Sequence, residues 1–146
     1  MTTSTLSAAQ LTRIYLDTAP GLPKLPHIPE NWDFQLTPQQ QEENLLHVSL
    51  WIVERDRKNF RMRYWHESWA EFAVVAEGRT AEQAHAECGT THCIAGFSQV
   101  MAGEKGFTDH PWNVGTFLLG KEARSHFWDI DEEGLEYLKE VIARNS

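Results

Sequence analysis

The stretch TPQQQEENLLHVSLWIVERDRKN, residues 37–59, restricts the fold more than any other part of the chain. Thr37 can cap a helix, Pro38 suits the first helical position, and Gln40 completes a capping box. Beyond the cap, Leu45, Val48 and Ile52 form one helical stripe, and Leu46, Leu50 and Val53 form a second. A helix apolar over that much of its circumference has to be covered on several sides. The alternation of Leu46, Val48, Leu50 and Ile52 would also suit a strand, but the cap and the absence of a breaker decide for a helix.

The rest of the chain supplies the covering elements. Residues 6–16 read as a short helix capped by Ser7, with Leu11, Ile14 and Tyr15 on its apolar side. Pro20, Pro23, Pro26 and Pro29 then recur every third residue, a spacing that gives extended, polyproline-like backbone. Residues 17–36 are therefore an arm strapped across the core by Leu22, Leu25, Ile28 and Trp32, with a docking ligand for an aromatic groove as the alternative. Phe60, Met62 and Tyr64 alternate with Arg61 and Arg63 and predict an extended turn or short strand.

Helices follow over 68–78, closed by Gly78, and over 80–88, with a Thr80–Gln83 capping box and a stop at Gly89. A further helix buries Ile94, Phe97, Val100 and Met101 and ends before Gly103. Pro111 starts the next and Gly120 stops it; residues 121–130 form another helical segment. In the last helix Asp131 is the expected cap, Leu135, Leu138, Val141 and Ile142 form the stripe, and Arg144 suits the negative end of the dipole. The fold class is mainly α: residues 1–146 as a compact single-domain bundle of roughly seven mostly short helices, with an extended Pro-rich N-terminal arm.

Charge and composition then exclude whole classes of function. A net charge of -8 argues against general nucleic-acid binding, which needs a basic field to neutralise phosphates. The basic run at 57–63 is flanked by Glu54, Asp56 and Glu67 and reads as a solvated, salt-bridged segment. No apolar run approaches the ~18 residues of a membrane span, and residues 1–16 lack the charged start and apolar core of a signal peptide. A cytoplasmic protein without membrane contact is expected, with its two cysteines reduced. Six tryptophans favour an aromatic groove or an aromatic-rich core.

Both cysteines fall in ECGTTHCIAG, residues 87–96. His85, Cys88, His92 and Cys93 have the chemistry of zinc ligands, but Gly89 and the threonines break the helix that would put His85, Cys88 and His92 on one face. If Thr90 caps the following helix, Cys93 sits in its first turn, where the dipole lowers a thiol pKa. His92 is about 100° away around that helix and a poor base for Cys93, so a better one would come from a distant histidine such as His66 or His126. A disulfide between Cys88 and Cys93 would have to cross the turn. The structural alternative makes Gly89 a turn, a threonine the cap, and Cys93, Ala95 and Gly96 small residues that admit a neighbouring backbone, with His92 at the solvent edge.

No P-loop, GxGxxG, GxSxG, HExxH or EF-hand pattern occurs. The residues favour a non-enzymatic module that binds or regulates a protein partner, without a cofactor. The alternatives are a cysteine-dependent enzyme or thiol redox sensor using Cys88 or Cys93 with a histidine such as His92, and a zinc-stabilised module.

Three segments taken together are similar to a group of small uncharacterised bacterial and phage proteins. They are Phe60, Met62 and Trp65; the CGT-x-x-C-x-x-G core of Cys88, Gly89, Thr90, Cys93 and Gly96; and Leu118, Leu119 and Gly120 followed by Ala123 and Phe127. The spacing between Trp65 and Cys88 is long for the pattern, and the Pro-rich arm lies outside it. The resemblance implies that Cys88 and Cys93 belong to one local structural unit, and it implies no activity.

Overall fold

The computed structural model describes residues 5–19, 22–30, 32, 35–62, 92–103 and 110–146. The helices expected over 68–78 and 80–88, and with them Trp65, His66, His85 and Cys88, lie outside the described residues. Among the described residues the chain is helical: α1 (Ala8–Thr18), α2 (Pro38–Leu50), α3 (Ile94–Met101), α4 (Pro111–Leu119), α5 (Lys121–Arg124) and α6 (Asp131–Arg144). No helix among them is long and apolar enough to cross a membrane.

α2 begins as its sequence dictates. Thr37 accepts from the Gln40 N–H at 3.1 Å, and the Gln40 side chain returns the bond to the Thr37 N–H at 2.9 Å. Every residue from Asn44 to Leu50 is buried, and α2 touches α1, α3, α4 and α6. Its C-terminal end winds into a π turn, Trp51–Arg55, and a 3-10 turn, Arg57–Asn59. Asp56 closes that end by accepting from the Asn59 amide at 2.7 Å. Phe60 is extended and pairs with His92 in an isolated parallel bridge: the His92 N–H donates to the Asn59 carbonyl at 2.7 Å and the Arg61 N–H to the His92 carbonyl at 2.9 Å.

The Pro-rich arm crosses α2, and one buried side chain ties it to two helices. Asn44 is fully buried. It accepts from the His27 N–H and donates to the carbonyls of His27 and Leu118, each at 3.0 Å, so arm, central helix and α4 meet at a single amide. The Leu25 N–H donates to the Met101 carbonyl at 3.1 Å, and Trp32 packs edge-on against Phe117 at 4.9 Å.

α1 is rotated from its expected orientation. Its buried residues are Ala9, Thr12 and Leu16, while Leu11, Ile14 and Tyr15 are exposed. The small side chains of Ala9 and Thr12 allow close approach to the core. Ion pairs from Arg13 to Glu54 and from Arg55 to Asp17 flank the helix and hold that rotation. The capping box of Ser7 and Gln10 is formed.

α3 and α4 cross where Ala95 meets Gly115, and Gly103 and Gly120 take the positive φ values of 72° and 97° that end these helices. At α6 the N-cap is Ile130, with Asp131 already inside the helix. Asp131 is diverted from capping because its carboxylate accepts from the Met62 N–H at 2.6 Å, tying the 60–62 segment to the start of α6. At the other end, Arg144 donates to Glu42 of α2 and Glu122 of α5, which holds the last helix onto the bundle. These contacts keep the Arg144 guanidinium charged and the Glu122 carboxyl below its ordinary range.

Candidate functional site

The cysteine segment has a different local geometry from the one expected. His92 is held extended by its bridge to residues 59–61, so the helix that carries residues 94–101 starts after it. α3 begins at Ile94, and Cys93 is its N-cap: Sγ accepts from the Gly96 N–H at 3.3 Å. Cys93 is therefore not a first-turn residue behind a Thr90 cap. It is 1% exposed, and burial pushes its thiol up to about 12, against a smaller lowering by the Gly96 N–H. Such a thiol stays protonated near neutral pH, the opposite of an activated nucleophile.

His92 is also misplaced by the sequence reading. It is fully buried rather than at the solvent edge, with its ring edge-on to Phe97 at 5.0 Å. Of the proposed zinc ligands, only His92 and Cys93 are among the described residues. Among those residues, no three His, Cys, Asp or Glu side chains gather into a metal-holding group. His126 bonds Asp129 at 2.7 Å and stacks on Tyr137 at 3.8 Å.

The surface feature that stands out lies at the α5–α6 connection. Ala123 and Phe127 point inward and are buried. The turn over 125–128 then sends Trp128 and Ile130 outward, 65% and 63% exposed. Trp128 is positioned rather than loose. It meets the Trp112 ring edge-on at 6.2 Å, and the Arg124 guanidinium covers Trp112 at 4.4 Å. Met62, Phe127, Trp128 and Ile130, with Asp129, Asp131 and Glu132, line a groove of about 730 Å³. The Met62–Asp131 hydrogen bond fixes its floor.

A second groove, also about 730 Å³, lies between α2, α4 and α5. Its acids Glu42 and Glu122 are occupied by Arg144, and its Phe117 wall is covered by Trp32. The Trp128 groove has no such internal occupant among the described residues.

Sequence reasoning missed Trp128 and Ile130 as site residues. The signal was present: in HFWDID two large apolar residues alternate with acids just before a helix start, where a strictly inward stripe would not place them. No protein-family model, curated protein or solved structure matches the chain.

Proposed function

We propose that the protein is a non-enzymatic docking module of the cytoplasm, which binds a protein partner through the groove at Trp128 and Ile130. The observation that carries this reading is the exposure of a positioned tryptophan and an isoleucine on one short connection, beside a groove walled by Met62 and Phe127. Soluble monomers rarely leave such clustered apolar surface bare, and an aromatic held in place binds at low entropic cost. Cys93, as a buried cap with a raised thiol pKa, supports a structural role for the CGT-x-x-C segment shared with the bacterial and phage proteins it resembles.

Selection from a displayed random-peptide library tests the reading. Peptides enriched on the wild-type chain should lose binding to the Trp128→Ala variant, whose substituted side chain is mostly exposed and whose fold is checked by circular dichroism. Enriched peptides indifferent to that substitution, or no enrichment at all, would contradict it.

A further inference from the structure

The Trp128 groove continues past its apolar wall. Asp129 and Glu132 line it, and both also line an adjoining groove of about 410 Å³ together with Glu133, Glu136 and Glu140. Glu133, Glu136 and Glu140 are spaced i, i+3 and i+7, so they share one face of α6 and form an acidic track about 10 Å long. From Asp129 to Ala143 the sequence holds six acidic residues and a single basic one, Lys139. Glu132, Glu133, Glu136 and Glu140 make no ion pair among the described residues, whereas Glu42, Glu54 and Glu122 are each matched by an arginine. An apolar pocket thus opens onto negative charge that no cation among the described residues compensates.

Resting on the docking reading above, we infer that the occupant of this groove is a basic polypeptide segment with an apolar anchor. One large side chain packs between Trp128 and Ile130, and its neighbouring Lys or Arg residues lie along Glu132, Glu133, Glu136 and Glu140. The anchor supplies the desolvated contact, and the charges supply steering and register. The exposed carboxylates attract cations through high-dielectric solvent, so their contribution is salt-sensitive. A neutral apolar segment would leave the acids uncompensated, and an acidic one would be repelled. A second copy of the chain would bring its own charge of -8 to this acidic face.

Three labelled synthetic peptides of about ten residues test this by fluorescence anisotropy. One carries Leu and Phe among Lys and Arg, the second has every cation replaced by Gln, and the third keeps the cations with Ser for the apolar residues. The first should bind at least about tenfold more tightly than either control at about 50 mM salt, with the advantage over the neutral peptide shrinking as salt is raised. That advantage should also collapse in the Glu133→Gln/Glu136→Gln/Glu140→Gln variant, while Trp128→Ala should weaken the first and second peptides alike. All four substitutions are at exposed positions, and thermal unfolding verifies each variant.

Equal binding of the basic and neutral peptides overturns the inference and leaves the docking reading standing. Equal binding of the first and third peptides overturns it as well, since the apolar anchor then plays no part. If no peptide binds, both fail. Concentration-dependent self-association of the free protein that Trp128→Ala abolishes would assign the groove to a second copy and overturn the inference.

Discussion

Gly115 of α4 stands so close to Ala95 of α3 that a Cβ on Gly115 would lie 2.8 Å from the Ala95 Cβ and 2.9 Å from the Phe127 ring. This contact joins the CGT-x-x-C segment to the connection that carries Trp128. Gly115→Ala should destabilise the fold by about 1–3 kcal/mol despite the better helix propensity of alanine, because the atoms in the way include backbone. At Gly134→Ala the nearest atoms are side-chain rather than backbone: Met62 Cγ and Sδ at 3.0–3.1 Å and the Phe60 ring at 3.4 Å. This variant should stay within about 0.5 kcal/mol of wild type, since the propensity gain offsets a small shift of Met62. Urea unfolding of the two variants measures the difference.

The capping role of Cys93 has a chemical consequence. In a Cys88→Ser background, where Cys93 is the sole thiol, a disulfide reagent at pH 8 should react with the native protein at least about a hundredfold more slowly than with the denatured chain, because the buried thiol is not ionised there. Rapid native-state labelling would show that the sulfur reaches solvent and would reopen the thiol reading.

His47 makes the fold acid-sensitive. Its side chain is buried beneath the Tyr15 ring, its Nδ1 has no hydrogen-bond partner among the described residues, and burial lowers its pKa to about 4 despite the opposing charge of Glu43. The unfolded chain binds a proton at this residue near pH 6.5 and the folded chain only near 4, so stability is full above about 6.5 and is lost as pH falls through that window. The loss should be on the order of 1–3 kcal/mol. His47→Leu should flatten that part of the stability profile, as read by thermal midpoints between pH 7 and 4. An unchanged slope would contradict the assignment.

Among the described residues the sequence carried the helices well and their orientations less well. The central helix, its capping box and the glycine stops at Gly103 and Gly120 are local chemistry, so they were legible from the residues themselves. The face α1 buries was not, because Leu11, Ile14 and Tyr15 outrank Ala9 and Thr12 in hydrophobicity, while the helix is oriented by distant Glu54 and Arg55. The caps at Cys93 and Ile130 shifted for the same reason. His92 is held by a bridge to residues 59–61, and Asp131 is recruited by the Met62 N–H, both partners distant in sequence. At the site, Phe127 was recognisable as part of a motif, but the outward turn of Trp128 and Ile130 depends on the stacking of Trp112 and Arg124.

Titration calorimetry with a peptide selected on the wild-type chain tests the docking groove most directly, using paired surface variants. The proposed groove predicts that Trp128→Ala and Ile130→Ser each weaken binding by about tenfold or more, the usual cost of removing a central anchor. Leu11→Ser/Ile14→Ser, on the exposed face of α1, should leave the affinity unchanged. Loss of binding in the α1 variant with full affinity in the groove variants would contradict the account.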